Sequence, residues 1–170
     1  MKISTFGFRV WRWMSMFFLV GSLLWTYSVF PEMVAVDFSN TGAAELYVSK
    51  EHIFYLIMGL FLINNVLMAR LIKLVPSMET KHMPIPNRLA WAQNRPLLNE
   101  LVSNWLNALV GSINTILGLS LLSLATINSE QYNLSVFDFS WVLYLGLGFF
   151  TVLFLLPIRL IGTPVPEEKI

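Results

Sequence analysis

Side chains that could do acid–base chemistry are few, and one polar segment holds three of them. Asp37, Glu51 and His52 lie between the first two apolar runs, where carboxylates and an imidazole could exchange a proton. A hairpin pattern separates Asp37 from the other two, which favours an interface role for His52. His82 has no carboxylate or second histidine at the spacing of a metal site.

The remaining reactive side chains give no catalytic constellation. The chain has no cysteine, which excludes disulfides, thiolate metal sites and thiol nucleophiles together. Paired carboxylates, a Ser-His-Asp arrangement and a phosphate-binding loop are not recognisable in the sequence. We therefore expect a protein that is not an enzyme and that has no catalytic residue, metal site or cofactor.

The composition is that of a membrane protein. Of the 170 residues, 56% are hydrophobic and only 12% are charged, whereas about 25% of a soluble domain is charged. The mean hydropathy is +0.65. The net charge of +1 gives no indication of a nucleic-acid partner.

Four apolar runs are long enough to cross a bilayer, whose hydrocarbon core of about 30 Å needs roughly 20 helical residues. They predict spans at about 13–30, 53–75, 101–127 and 139–158. The fold expected is an all-α bundle of four transmembrane helices in one membrane domain, 1–170. A cleaved signal peptide is the alternative for the first run, but no small-x-small site follows it closely.

The orientation of these spans follows from their cationic side chains. With the N-terminus inside, ten of the eleven Lys and Arg residues lie on the inner side and Lys50 alone lies outside. This bias predicts a multi-pass protein of the bacterial cytoplasmic (inner) membrane with both termini in the cytoplasm.

The outer connection after the first span has the pattern of a β-hairpin. Val34, Val36 and Phe38 point to one face, and Leu46 and Val48 continue that face after a turn. Gly42 supplies a turn residue that tolerates positive φ. Because a lone hairpin is marginal in water, it needs a partner surface. Ser49 then caps the second span, and Glu51 lies in its first turn.

The inner connection before the third span predicts a short interfacial helix. Asn87 can cap a helix over 88–94, with Leu89 and Trp91 turned toward lipid. The alternative is an extended surface loop.

The third span carries a stripe of small and polar residues on one helix face. These residues, spaced by four, four, three and four, are Ser103, Asn107, Gly111, Asn114 and Gly118.

Asn114 is the midpoint of the third span, and Asn64 is the midpoint of the second, with Asn65 beside it. Since the two helices run antiparallel, a direct hydrogen bond from Asn114 to Asn64 or Asn65 is predicted, worth about 0.6 kcal/mol. No charged residue lies in the middle of a span, so helix packing is favoured over a polar transport path.

The first outer loop resembles a known family in a limited set of positions. Pro31, then Val36-Asp37-Phe38, Gly42 and Ser49-Lys50, are similar to the N-terminal region of SdpI-like membrane proteins, a bacterial toxin-immunity and signalling family. Asp37 stands where that family usually carries histidine, and the family's later spans are absent. The resemblance implies an outward recognition hairpin, whose candidate residues are Asp37, Phe38, Asn40, Gly42, Tyr47 and Lys50.

Two classes of function remain, and neither is catalytic. The small size, the lack of reactive groups and the polar third helix favour an accessory or structural subunit of a larger membrane complex. Its partners would be the lipid bilayer and other membrane subunits, with no nucleic acid. The alternative is a membrane protein that recognises an extracytoplasmic peptide or toxin. A transporter is less favoured, because broken helices in corresponding halves are absent.

Overall fold

A computed structural model of the chain describes residues 3–83, 85–129 and 135–162. In chain order its elements are α1 (Ile3–Val29), β1 (Met33–Phe38), β2 (Ala44–Ser49), α2 (Lys50–Leu62), a π-helical segment (Ile63–Leu67), α3 (Met68–Leu74), α4 (Arg88–Gln93), α5 (Arg95–Ile127), α6 (Ser140–Phe150) and α7 (Val152–Ile161). Short 3-10 turns lie at Val75–Ser77, Thr80–His82 and Val136–Phe139.

Three helical segments in the described part of the chain are long and apolar enough to cross a membrane. They are Lys50–Ser77, Arg95–Ile127 and Val136–Ile161, of 28, 33 and 26 residues. A fourth long helix, α1, has 27 residues but is not one of these three. It begins at Ile3, well before the predicted start of the first span at residue 13, and Arg9 and Arg12 dilute its apolar residues.

The long helices alternate in direction along the chain. Residues with higher numbers in α1 contact residues with higher numbers in α5: Thr5 bonds to Glu100, and Trp11 bonds to Thr115. These two helices are therefore parallel. The segment formed by α2, the π-helix and α3 runs antiparallel to α5. Near its end, Arg95 Nη2 at the start of α5 donates to the carbonyl of Val75 at 2.7 Å.

The last helical segment is also antiparallel to α5. Trp105 Nε1 donates to the carbonyl of Val152 at 2.6 Å, and Trp91 Nε1, just before α5, donates to that of Leu160 at 3.2 Å. The four long helical segments therefore alternate in direction along the chain.

The hairpin predicted after the first helix is present. β1 and β2 pair antiparallel, with Val34 opposite Val48, and Gly42 in the turn has a φ of 84°. The pairing is irregular between Ala35 and Asp37, so that Asp37 lies opposite Leu46. The prediction that Leu46 continues the apolar face is wrong, because this bulge turns it outward and leaves it 52% exposed.

Helix ends supply the surface that holds the hairpin. Val34 is fully buried in an apolar cluster with residues of α1, α2 and α5. The Asn128 side chain, just after α5, bonds to both polar groups of the Ala35 backbone: Oδ1 accepts from N at 2.7 Å and Nδ2 donates to O at 3.0 Å. The predicted cap is also confirmed, since Ser49 Oγ accepts from the backbone N–H of His52.

The buried apolar residues form two clusters at opposite ends of the bundle. The first, under the hairpin, contains Leu19, Leu23, Phe30, Val34, Ile53, Ile57, Leu121 and Ala125. The second contains Val75, Met83, Trp91, Leu98, Leu106 and Leu160. Along α5, buried polar residues occupy much of the interval between these two clusters.

The short helix α4 forms as predicted, but two expectations about it are wrong. Asn87 makes no capping bond and has a left-handed φ of 52°; its Nδ2 donates instead to the carbonyl of Ile161 at 2.9 Å. Trp91 is fully buried, whereas Leu89 is 85% exposed. The last turn of α7 covers Trp91 and accepts its N–H, which removes the indole from any lipid-facing position.

Candidate functional site

Asn114 lies at the centre of a buried network of amides that joins three helices. It is fully buried, and its Oδ1 accepts from Asn64 Nδ2 at 2.8 Å and from Asn65 Nδ2 at 3.0 Å. Its Nδ2 donates to Asn65 Oδ1 at 2.9 Å and to Ser15 Oγ at 3.5 Å. The hydrogen bond predicted between the midpoints of the second and third spans is therefore present, and α1 joins it through Ser15.

A π-helical segment brings both neighbouring asparagines to the same amide. Asn64 and Asn65 lie in Ile63–Leu67, where the α-helical bonding of α2 gives way to wider turns before α3 begins. Such segments are rare and occur often at functional sites. The sequence did not predict this π-helical segment, because the hydrophobic pattern of an apolar run does not show whether one of its turns is π-helical.

Arg12 brings a charged group into this polar network. Its Nη1 donates to Asn107 Oδ1 at 3.2 Å, and its Nη2 donates to the carbonyl of Asn65 at 3.4 Å. In the sequence, Arg12 is one of the ten Lys and Arg residues assigned to the inner side, and it lies just before the first predicted span. Because Asn107 lies two turns, about 10 Å, before Asn114, the structure extends the network from the middle of α5 to this cation.

The stripe predicted on the third span faces α1. Asn107 Nδ2 donates to the backbone carbonyl of Ser103 at 2.7 Å. A Cβ on Gly111 would lie 3.1 Å from the ring of Trp11, and one on Gly118 would lie 2.5 Å from the ring of Phe18. The two glycines are therefore the places where aromatic rings of α1 reach the α5 backbone.

A second polar chain links α1 and α5 nearer the start of α5. Asn104 Nδ2 donates to Thr5 Oγ1 at 3.1 Å, and that hydroxyl donates to Glu100 Oε1 at 3.0 Å. Asn104 is 9% exposed, and its buried Oδ1 has no hydrogen-bond partner among the residues that the structure describes. The sequence showed Asn104 only as one more polar residue of the span, off the stripe.

A cavity of about 450 Å³ opens beside this second chain, between α1, α5 and α7. Its lining includes the polar residues Glu100, Asn104 and Arg159. Its apolar walls include Phe8, Trp11, Leu101, Trp105, Leu155 and Leu156. A space of this size and lining is within the range that holds small ligands.

The residues proposed for outer recognition do not converge on one point. Asp37 Oδ1 accepts from the backbone N–H of its own neighbour Phe38 at 2.9 Å. Lys50 Nζ is paired with Glu32 Oε1 at 2.7 Å at the base of the hairpin. Tyr47 is 53% exposed on β2.

The turn of the hairpin carries the remaining two candidates. Asn40 is exposed there, and Gly42 lies 3.7 Å, measured from a Cβ built on it, from the ring of Phe137.

The outer acid–base candidates do not assemble either. His52 Nδ1 lies 2.6 Å from Ser49 Oγ and so belongs to the cap of α2. Within residues 3–83, 85–129 and 135–162, no group of three His, Asp or Glu side chains could hold a metal ion. These polar groups are suited to hydrogen bonding between helices, and the cavity is suited to ligand binding.

Comparison with protein-family models, with curated proteins and with solved structures found no match.

Proposed function

We propose that this chain is a non-catalytic accessory or structural subunit of a larger membrane protein complex. In this proposal α1 is a fourth span, both termini and α4 lie on the cytoplasmic side of a bacterial inner membrane, and the hairpin lies outside. The alternating direction of the helices and the distribution of Lys and Arg support this topology.

The subunit role rests on one observation: almost no side chain of the last helical segment, α6 and α7, is buried. No residue of α6 is buried, and Leu160 alone is buried in α7. A Cβ on Gly146 or Gly148 would have no atom within 4 Å. Small residues on a membrane helix allow another helix to approach closely. The exposed large side chains beside them on α6 are Trp141, Leu143, Tyr144, Leu147 and Phe150.

The polar centre of the bundle supports the same role and disfavours transport. Asn114 is closed off by amides and a hydroxyl of its own chain. Its neighbours therefore hold the helices together at this level, which favours helix packing over a transport path.

The test is extraction in a mild detergent, sizing, and photo-crosslinking from single positions. A photoreactive residue at Leu147 of α6 should cross-link to another polypeptide, and the particle should exceed a 19.5 kDa chain with its micelle. The matched control is Leu56 of α2, which is 63% exposed. A single-chain particle, with Leu147 cross-linking no more protein than Leu56, would refute the subunit role.

Recognition of an extracytoplasmic peptide or toxin is the second candidate, and the open side of β2 favours it. Within the described residues β2 pairs with β1 alone, and its Leu46 and Tyr47 are more than half exposed. An extended peptide can add a strand at such an edge. The resemblance to SdpI-like proteins supports the same idea. A single-chain particle that cross-links a secreted peptide from a photoreactive residue at Leu46, and loses that cross-link when Tyr47→Ala is added, would favour this candidate.

A further inference from the structure

Arg12 places a cation at the depth of the predicted spans. Its guanidinium donates from Nη1 to Asn107 Oδ1 at 3.2 Å and from Nη2 to the carbonyl of Asn65 at 3.4 Å. Asn107 lies about 9 Å inside the inner end of the predicted span 101–127, and Asn65 lies about 15 Å inside that of the span 53–75. In the proposed topology the guanidinium is therefore held in the hydrocarbon layer, deeper than the lipid headgroups.

This guanidinium has no counter-charge within the part of the chain that the structure describes. Both of its acceptors are neutral oxygens, and both bonds are longer than the ordinary N–H···O distance of about 2.9–3.0 Å. No carboxylate among the described residues bonds to Arg12. Because a charge in hydrocarbon is costly, such residues are ordinarily paired with an opposite charge. Arg12 is therefore one half of an ion pair whose other half lies outside these residues.

The side of α1 that carries Arg12 is not closed off by the rest of the bundle. Arg12 is only half-buried, and so is Met16, which lies one turn further along the same helix face. The second apolar cluster, which contains Val75 and Leu106, includes no residue of α1 among those described. At this end of the bundle, α1 therefore does not share an apolar core with α3, and part of the Arg12 side chain is exposed between them.

The depth of Arg12 identifies its partner as a carboxylate of another polypeptide. A headgroup phosphate lies at the membrane interface and not at the level of Asn107. None of the ten Asp and Glu residues of the chain lies within its four predicted spans, so a second copy could not supply a carboxylate at this depth. An Asp or Glu on a membrane helix of a different subunit would lie at the right level, and a carboxylate can accept two parallel hydrogen bonds from a guanidinium.

We propose that Arg12 binds an Asp or Glu carboxylate in a transmembrane helix of a different subunit. Asn107 and Asn65 hold the guanidinium in position for this pairing. The inference rests on the proposed subunit function and names the chemistry of one partner. Its site is on α1, whereas the subunit role rests on the surface of α6 and α7, so the two are tested from separate positions.

The test is photo-crosslinking of the full-length protein in its native membrane, from a photoreactive residue at Met16. The cross-linked polypeptide, identified by mass spectrometry, should have an Asp or Glu within an apolar segment of span length. Met14, on the opposite face of α1 and 66% exposed, is the matched control and should not give this product. A product with a second copy of this chain, with lipid alone, or with a polypeptide that has no such acid would overturn the proposal.

Charge variants show whether the contact depends on the ion pair. Arg12→Gln should lower the yield of the Met16 product on the order of tenfold, because it leaves the partner's carboxylate unpaired in hydrocarbon. Arg70→Gln removes the same charge from an exposed position on α3 and should not change the yield. An unchanged yield in Arg12→Gln would overturn the proposal.

Substitution of the partner's acid keeps the test valid if Arg12→Gln does not fold, because this chain is then unaltered. Replacement of that acid by its amide should lower the yield as much as Arg12→Gln does. Exchange of the two charges, with Arg12→Glu in this chain and Arg in place of the partner's acid, should restore the product. A yield that does not respond to the partner's acid would refute the ion pair.

Cross-linking from Leu147 of α6 separates this inference from the subunit role. If Leu147 captures a polypeptide while the Met16 product does not depend on Arg12, the ion pair is wrong and the subunit role stands. If neither position captures a polypeptide, both are wrong.

Discussion

Asn114 shows how much one side chain can do inside an apolar bundle. A single amide accepts from two asparagines of the second helical segment and donates to one of them and to Ser15 of α1. In hydrocarbon there is no water to take over these bonds, so each amide depends on the others.

Replacement of Asn114 should therefore destabilise the protein. Asn114→Leu removes several bonds of about 0.6 kcal/mol each and leaves Asn64 and Asn65 without their main partner, so we expect a loss of about 1–3 kcal/mol. The measurement is the free energy of unfolding in a mixed-micelle titration. Ser120→Leu, at an exposed position of the same helix, is the control. Equal stability of the two variants would contradict the structural role of Asn114.

The close contact of Phe18 with Gly118 gives a second test at the residue scale. Gly118→Ala adds the Cβ that would lie 2.5 Å from the Phe18 ring, so that ring must shift from its place against α5, at a cost of about 1–3 kcal/mol. Gly146→Ala adds the same atom where no atom lies within 4 Å and should be neutral or stabilising by up to about 1 kcal/mol.

The same unfolding titration compares these variants. Adding Phe18→Ala to Gly118→Ala should remove most of the difference between the two glycine positions. If Gly118→Ala is as stable as Gly146→Ala, the contact of α1 with α5 is not as close as described.

At the scale of elements, the hairpin was predictable and its attachment was not. Alternation and Gly42 predicted two strands, and Ser49 predicted the start of α2. The bulge at Val36 turns Leu46 outward, and the bidentate bond to Asn128 joins residues 93 positions apart. Both depend on tertiary contacts that no local pattern contains.

Loss of the Asn128 amide should loosen the hairpin without changing the helices. In Asn128→Ala, hydrogen exchange at the Ala35 N–H should be about tenfold faster, because its acceptor is removed. Asn40→Ala, in the exposed turn, should leave that rate unchanged. Unchanged protection of Ala35 in Asn128→Ala would show that β2 and the apolar cluster suffice to hold the strand.

The same limit on local patterns explains the other differences between the sequence and the structure. Hydropathy marks where a helix meets lipid, so it predicted a first span from residue 13, although α1 begins at Ile3. Trp91 has the amphipathic ring that is typical of a membrane interface, but it is buried because the last turn of α7 packs over it. The amide pairing was predictable because depth in antiparallel spans aligns Asn64 with Asn114.

At the scale of the whole molecule, the absence of native cysteine makes the topology directly measurable. Asn40 in the hairpin turn and Glu79 after α3 are both exposed. In intact cells Asn40→Cys should react with a membrane-impermeant maleimide, whereas Glu79→Cys should react only after permeabilisation. Reaction of Glu79→Cys in intact cells would reverse or abolish the proposed orientation.

The pairing of α1 with α5 also bears on how the protein is made. Helix α5, the parallel partner of α1, is separated from α1 by residues 30–94. A ribosome synthesises that stretch in roughly 3 to 13 s. Throughout that interval the nascent first helix carries Arg12 and an indole with no α5 to receive them. An insertase or a chaperone that binds incompletely packed membrane helices would therefore bind this nascent α1. A truncated translation product that ends before α5 should stay associated with it.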